Sequence, residues 1–234
     1  MTSEADRQFE FFDRFTPRYD DTRVDFMVDE LTGLGDAPRA IDLGCGDGSV
    51  LVHLLDRVPG LDAVGVDPSA RYVELAEAAG VEAMVGSILD PGLGAVVGGD
   101  FDAALVVAVL HHLVGPTRRR SRANVAEAMR VASSLLRPGG KLLIYEPTYR
   151  PRLGMDVLFW MKSLVVRLAG NRRVELGRPA LNIGAPIVSY YDVEAIERLL
   201  GNAGFDLVDT RVVSTGSVAG LARRQSVGFI ARRR

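Results

Sequence analysis

The sequence predicts an α/β fold with a doubly wound, mostly parallel sheet, on three observations. Short apolar stretches typical of buried strands alternate with segments of helical periodicity along residues 40–144. The first apolar stretch, at 40–43, ends in a glycine-rich turn that opens a helix. The fourth, at 103–107, is apolar throughout, as expected for a strand covered by helices on both faces. Right-handed crossovers should connect such strands.

The elements follow in a regular order. An aromatic-rich helix is expected at 9–19, and a second helix at 24–31 ends at Gly33. Beyond the glycine-rich turn the pattern predicts, in order, a helix at 50–58, a strand at 63–66, a helix at 72–79, a strand at 81–85, a loop at 90–99, a strand at 103–107 and a helix at 118–136.

The pattern changes after Tyr145. A very apolar helix is predicted at 153–170, followed by a loop rich in glycine and proline. Asp192 is placed to cap a further helix that ends at Gly201. Stretches at 205–213 and 225–232 can pair as two final strands.

Composition narrows the class of protein. With 28 basic and 30 acidic residues the chain has a formal charge of −2, which gives no general attraction to nucleic acid. A single cysteine, Cys45, rules out an internal disulfide and suits a reducing compartment, so we expect a cytoplasmic protein. The N-terminus is unlike a signal peptide, and no apolar run reaches the roughly 18 residues of a membrane span. Metal-ligand spacing is absent, so no metal is expected.

The glycine-rich turn at 42–48 has the pattern D-x-G-x-G-x-G, and Asp67 ends the next apolar stretch. Glycines at alternate positions let a ligand approach the backbone closely, and an acid at the tip of the second strand can bind a ribose diol. The dinucleotide fingerprint G-x-G-x-x-G needs glycine at 49, where this chain has Ser49. Asp42 would repel a pyrophosphate but attract an ammonium group. The charges therefore favour S-adenosylmethionine over NAD.

These residues resemble motif I and the acidic motif of class I S-adenosylmethionine-dependent methyltransferases of the small-molecule type. Stretches at 85–88, 101–113 and 136–144 resemble three later landmarks of that family. Two features depart from it: Ser87 stands where many relatives carry an acid, and no N/D-P-P-Y/F motif is present. The resemblance implies a Rossmann-like, seven-stranded sheet with an antiparallel edge hairpin, N-terminal helices and a helical lid insertion after strand five.

We accordingly expect one domain over residues 1–234. Its parts are an N-terminal helical lid at 1–36, a cofactor-binding core at 37–146, an insertion or lid at 147–190, and a C-terminal helix with a strand hairpin at 191–234.

The predicted cofactor site gathers at the carboxyl ends of the strands. Asp42 should hold the ammonium group and Asp67 the ribose. A structural hydrogen bond for Asp42 and a helix cap for Asp67 are the alternatives. Together with the residues that the resemblance implies, the expected site is Tyr19, Asp42, Gly44, Cys45, Gly46, Gly48, Asp67, Pro68, Ser87, Ile88, Ala108 and Val109.

Two histidines, His112 and His111, follow the fourth strand and are the candidate general bases. In the family such a pair also serves packing or cofactor positioning, which is the alternative. The expected acceptor site is Phe12, Tyr149, Tyr190 and Tyr191. We expect methylation of a small molecule, on oxygen ahead of nitrogen or carbon, with S-adenosylhomocysteine as the product.

Several alternatives stay open from the sequence alone. The apolar helix at 153–170 could be a lid over the acceptor, the contact of a homodimer, or a surface that docks on a membrane. The protein could also bind S-adenosylmethionine without turnover, in regulation or assembly, or be an NAD-type oxidoreductase.

Overall fold

The computed structural model describes residues 21–170, 174–176, 181–218 and 222–234. The aromatic helix expected at 9–19 lies outside these ranges, and the alternation expected after it is confirmed. The elements are α1 (Asp25–Thr32), β1 (Arg39–Leu43), α2 (Ser49–Leu55), β2 (Asp62–Asp67), α3 (Ala70–Ala78), β3 (Glu82–Val85), α4 (Gly94–Val97), β4 (Phe101–Val107), α5 (Arg118–Leu135), β5 (Leu136–Arg150), α6 (Arg152–Ala169), β6 (Glu175–Leu176), β7 (Leu181–Asn182), α7 (Val193–Asn202), β8 (Phe205–Val218) and β9 (Ala222–Arg233).

Seven of the strands form one sheet in the order β3-β2-β1-β4-β5-β9-β8. Strands β1 to β5 are parallel to their neighbours, whereas β9 is antiparallel to both β5 and β8. The predicted doubly wound sheet with an antiparallel edge hairpin is therefore confirmed. The strand order reverses between β1 and β4, which is where such sheets bind their ligands.

Helices cover both faces of the sheet, and the apolar strand β4 shows why. Ala104 and Val106 point into a cluster with α5 and α7, while Leu105 and Val107 point into a second cluster with α1, α2 and α3. Successive side chains of a strand face opposite ways, so a strand buried on both faces must be apolar at every position.

The final hairpin is longer than the predicted strands at 205–213 and 225–232. Strand β9 pairs with β5 from Lys141↔Arg232 to Arg150↔Arg223, well past the end of β4 at Val107. The sequence did not indicate this extension because polar and glycine residues interrupt the apolar pattern there. The hairpin consequently projects beyond the carboxyl ends of the parallel strands.

Helix α6 presents two different faces. Met155 and Phe159 are buried, whereas Leu153, Val157, Trp160, Leu164 and Leu168 are exposed along the opposite side. Among the helices that the structure describes, none combines the length and apolarity needed to cross a bilayer.

Candidate active site

The glycine-rich turn is fixed between β2 and the end of β4. The backbone N–H groups of Gly44 and Cys45 both donate to the Val66 carbonyl, at 2.7 and 3.1 Å. Gly44 has a φ of +99°, and a Cβ there would lie 2.5 Å from Cγ2 of Val109. Only glycine lets the turn take this path and contact Val109.

Gly46, at the middle of the turn, faces open space. Its φ is +56°, and a Cβ built on it would meet nothing within 4 Å. Its N–H donates to Oδ2 of Asp67 at 3.0 Å. The backbone at this position is therefore held in shape while one side stays open to a ligand.

Asp42 is a buried carboxylate without a protein donor. It is 1% exposed, and within the described parts of the chain neither of its oxygens has a hydrogen-bond partner. Burial, with a further contribution from Asp67, raises its pKa to about 7, and the Arg23 charge opposes that rise. A buried carboxylate in this state is costly, and a bound cation would satisfy it.

The carboxylate of Asp67 connects the turn to the next helix. Its Oδ2 accepts from Gly46 and its Oδ1 accepts from the N–H of Ser69 at 2.9 Å. Ser69 is the N-cap of α3 and accepts from the N–H of Tyr72. A carboxylate oxygen can accept more than one hydrogen bond, so the two backbone contacts do not prevent Asp67 from accepting from hydroxyl groups.

Strand β4 ends in a strained turn. Ala108 has a φ of +58°, which non-glycine residues rarely adopt, and its N–H donates to the Tyr145 carbonyl at 2.7 Å. The short 3-10 helix Leu110–His112 follows directly. The turn thus brings both histidines to the carboxyl end of the sheet.

Glu146, near the carboxyl end of β5, binds this short helix through hydrogen bonds. It is fully buried and accepts from the backbone N–H of Leu110 at 3.2 Å and of His111 at 3.1 Å. Its Oε1 also lies 2.5 Å from Nδ1 of His111. Burial raises the pKa of Glu146, although the two backbone donors oppose that rise, and burial lowers the pKa of His111 to about 3. Burial therefore disfavours the charged form of each side chain.

An aromatic cluster adjoins this pair. The His111 ring stacks on Tyr190 with centroids 5.2 Å apart, and it lies 3.9 Å from the His112 ring. Tyr149 contacts Tyr190 at 4.2 Å, and a hydrogen bond joins their hydroxyls. Tyr191 is separate: it is buried, and its hydroxyl accepts from Ser189.

Comparison with known proteins decides the family. Residues 12–210 match the model of a methyltransferase domain family. The chain belongs to this family. It is a class I S-adenosylmethionine-dependent methyltransferase, as its resemblance implied.

Curated relatives agree with this assignment. An uncharacterized methyltransferase of Mycobacterium tuberculosis is 30% identical over 86% of this chain and 73% of its own length. An uncharacterized 37.1 kDa protein in a transposon of Streptomyces fradiae is 30% identical over 82% of this chain, which spans 57% of that relative. A mouse tRNA (carboxymethyluridine(34)-5-O)-methyltransferase is 33% identical over 51% of this chain and 16% of its length.

Solved structures share the methyltransferase fold. A Methanosarcina mazei S-adenosylmethionine-dependent methyltransferase is 17% identical and superposes with a TM-score of 0.64 over 88% of this chain and 96% of the other. A geranyl diphosphate methyltransferase in complex with S-adenosylmethionine has a TM-score of 0.61 at 16% identity, over 92% and 85%.

The described residues of the methyltransferase fit S-adenosylmethionine, its cofactor. Buried Asp42 offers an unsatisfied carboxylate, and the open backbone at Gly46 leaves room that any side chain would fill. Arg23 acts on Asp42 from nearby and lies over the Tyr145 ring. An acid and an arginine so placed complement the ammonium and carboxylate of an amino acid.

The other predicted cofactor residues occupy the same edge of the methyltransferase sheet. Gly48, with a φ of +78°, approaches Ala76 of α3, and Cys45 packs so closely on Gly65 that a Cβ there would lie 2.7 Å from its sulfur. Burial raises the pKa of the Cys45 thiol, which keeps it unreactive. Pro68 is half-buried after β2. At β3, the Ser87 hydroxyl accepts from the N–H of Leu89, and Ile88 is in the core.

Two predicted site residues, Tyr19 and Phe12, lie outside the described residues. In the described part of the methyltransferase, no group of three or more histidine, cysteine or acidic side chains could hold a metal.

Arg118 was not predicted as part of the site. A run of arginines at the start of a helix, as at 118–120, is typical of a solvated helix end, but Arg118 is 7% exposed. Its guanidinium donates to Asp156 of α6 at 2.8 Å, to the Ser189 hydroxyl at 2.5 Å and to the Tyr190 carbonyl at 2.8 Å. It therefore fastens the insertion to the methyltransferase core. Arg23 was not predicted either, because an isolated arginine carries no pattern.

Replacing Gly46 with alanine should separate folding from cofactor binding. The added methyl meets no protein atom, so the free methyltransferase should lose only about 1 kcal/mol through the positive φ. It occupies the open side of the turn, so S-adenosylmethionine affinity should fall at least about tenfold. Thermal unfolding and titration calorimetry measure the two effects. An alanine variant with unchanged affinity would show that no ligand contacts this turn.

Proposed function

We propose that this methyltransferase transfers a methyl group to a hydroxyl oxygen of a small molecule, with His111 as the general base. The observation that carries this proposal is the contact of 2.5 Å between His111 Nδ1 and Glu146 Oε1. A carboxylate at Nδ1 fixes the orientation of an imidazole and leaves Nε2 to accept a proton. A hydroxyl acceptor needs such a base, because its proton must leave.

The cofactor site of the proposal uses the charges around β1. Asp42 would hold the ammonium of S-adenosylmethionine, Arg23 would face its carboxylate, and Asp67 would bind the ribose. When bound, S-adenosylmethionine supplies a methyl group on a positively charged sulfur. The protein's part is then to align acceptor and methyl, which can contribute on the order of 7–11 kcal/mol when the alignment is ideal.

The geometry favours His111 over His112 as the general base. The Glu146 carboxylate contacts both the backbone N–H of His111 and the Nδ1 atom of its ring. Burial lowers the pKa of both histidines, so their contacts and not their pKa values distinguish them. We assign His112 to packing against His111.

A small acceptor is favoured over a nucleic acid. Arg118, the first residue of the basic run, is buried in contacts with Asp156, Ser189 and Tyr190 and is not free for phosphate groups. Tyr149 and Tyr190 offer aromatic surfaces beside His111. We assign α6, in the insertion after β5, to a lid over this acceptor site, because Arg118 contacts both Asp156 of α6 and the carbonyl of Tyr190. The tRNA substrate of the mouse relative is the competing possibility.

The test of this function is product formation. Purified protein is incubated with S-adenosylmethionine and separate panels of phenols, alcohols, amines, carboxylic acids and a tRNA mixture. S-adenosylhomocysteine release and the mass of the methylated product are measured. We expect methylated phenols or alcohols. Methylation confined to amines or tRNA would contradict the proposal, and cofactor binding without any transfer would indicate a regulatory binding protein.

Replacing His111 with asparagine should lower kcat by roughly 10²–10⁴-fold. The asparagine amide nitrogen takes a position similar to Nδ1, so the contact with Glu146 can persist while Nε2 is lost. S-adenosylmethionine affinity should be unchanged. Steady-state kinetics and calorimetry provide both values.

The matched control is His112 to asparagine, which should retain turnover within about tenfold if it only packs against His111. The reverse result, with turnover lost at 112 and kept at 111, would transfer the role of base to His112.

A further inference from the structure

Arg224 lies at the rim of the histidine–tyrosine cluster. In the β5–β9 ladder it is directly opposite Tyr149, so the two side chains leave the same face of the sheet. Burial raises the pKa of Tyr149 and Tyr190 and the Arg224 charge opposes that rise, whereas burial lowers the pKa of His111 and the Arg224 charge adds to that fall. The guanidinium therefore stands beside the residues proposed to receive the acceptor.

Arg224 forms no ion pair with the described residues. Neighbouring Arg150 forms an ion pair with Glu194, but within residues 21–170, 174–176, 181–218 and 222–234 no carboxylate pairs with Arg224. Its partner on the other side, in β8, is Gly216, which has no side chain. Arg224 is also exposed. An arginine in this position is available to an incoming anion.

From this juxtaposition we propose that the methyl acceptor carries an anionic group, recognised by Arg224, in addition to its hydroxyl. This inference rests on the proposed function, because it takes the His111 cluster as the acceptor site. A carboxylate or a phosphate fits equally, since guanidinium groups bind both in bidentate fashion. The aromatic surfaces of Tyr149 and Tyr190 suit an acceptor with a flat or apolar body between the two polar ends.

In this proposal His111 acts on the hydroxyl of the acceptor and Arg224 binds its anionic group. The hydroxyl would lose its proton to His111 as its oxygen forms the new bond to the methyl carbon. The methyl–sulfur bond would break with its electron pair left on sulfur, so that S-adenosylhomocysteine would leave, and the anionic group would keep its charge. Arg224 contacts only the part of the acceptor that does not react. It is therefore a specificity residue, and its loss should change the choice of acceptor more than the rate with neutral acceptors.

Matched acceptors test the inference. The probes are 4-hydroxybenzoate and 3-(4-hydroxyphenyl)propanoate, their neutral amides, and 4-hydroxyphenyl phosphate. Each is titrated by calorimetry into protein loaded with S-adenosylhomocysteine, and each is assayed for methylation. We expect the anionic members to bind at least about tenfold tighter than the neutral ones. Carboxylate and phosphate probes show which anion is preferred.

The Arg224→Gln variant should abolish this preference and leave binding of the neutral amides unchanged. Arg223→Gln is the matched control, because side chains of adjacent strand residues face opposite ways, and it should keep the preference. The inference is overturned if anionic and neutral probes bind with equal affinity. It is also overturned if both variants reduce the affinity for an RNA oligonucleotide by the same factor. Anion-selective binding that depends on Arg224, without methylation of any hydroxyl, would instead refute only the proposed reaction.

Discussion

Replacing Asp42 with asparagine should stabilise the free protein at alkaline pH and weaken S-adenosylmethionine binding by about ten- to a hundredfold. The two effects have one proposed cause: Asp42 is a buried carboxylate without a hydrogen-bond donor among the described residues, and the ammonium group of the cofactor would satisfy it. Affinity measured by calorimetry at pH 8 and unfolding free energy measured in urea should move in opposite directions.

The pH dependence of stability follows from the pKa of Asp42. It is 3.8 in a model peptide and about 7 in the folded protein, so the folded chain retains a proton that the unfolded chain has lost between these values. The carboxylate therefore lowers stability as pH rises from about 4 to 7, and its full effect, on the order of 4 kcal/mol, is present above pH 7. The advantage of the asparagine variant should widen by about 2–3 kcal/mol between pH 5 and pH 8.

The exposed Asp62, at the start of β2 and paired with Arg39, is the control for this substitution. Its change to asparagine should alter neither the cofactor affinity nor the pH dependence of stability.

Binding of S-adenosylmethionine at pH 6 should release a proton from the parent protein, visible as a dependence of the binding enthalpy on the buffer. If the parent protein releases no proton, or if the asparagine variant of Asp42 still releases one, the ammonium group binds elsewhere.

Replacing Glu146 with glutamine should reduce both stability and turnover. Glu146 accepts from the backbone N–H groups of Leu110 and His111 and contacts Nδ1 of His111, and the glutamine amide must place its own N–H against one of these nitrogens. We expect the unfolding free energy to fall by about 3 kcal/mol. Turnover, measured at a temperature where circular dichroism shows the variant folded, should fall at least about 100-fold, with kcat affected more than KM.

A double-mutant cycle separates positioning from general damage. If Glu146 acts through His111, the double variant Glu146→Gln with His111→Asn should be no slower than the asparagine variant alone. The parent should also lose activity as pH falls, because protonation of the Glu146–His111 pair removes the base, and burial places this transition above the usual range of a glutamate pKa. Multiplicative losses in the double variant would contradict the coupling.

The sheet and the cofactor edge could be predicted because their signals are local. The glycine turn, Asp42 and Asp67 lie within 26 positions, and their residue types determine which ligands they can approach. Strand order and the edge hairpin came from the family resemblance, and the structure confirms them.

The choice between the two histidines could not be made from the sequence. It depends on Glu146, which is 35 residues from His111 along the chain and reaches it only because β4 and β5 are neighbours. Arg118 was misjudged for the same reason: its partners at 156 and 189–190 belong to the insertion, whose placement no local pattern specifies. Helical periodicity shows that a face is polar, but not which distant segment covers it.

In the acceptor site that we propose, the ladder between β5 and β9 makes the attachment of the surrounding elements unequal. Tyr149 and Arg224 belong to continuous main-chain pairing that extends down to Lys141 and Arg232. Helix α6 is held to the core through side chains, among them the guanidinium of Arg118, which donates to Asp156. Exchange of α6 between relatives should therefore alter the size of molecule admitted, while the anchor for its far end stays where the sheet holds it.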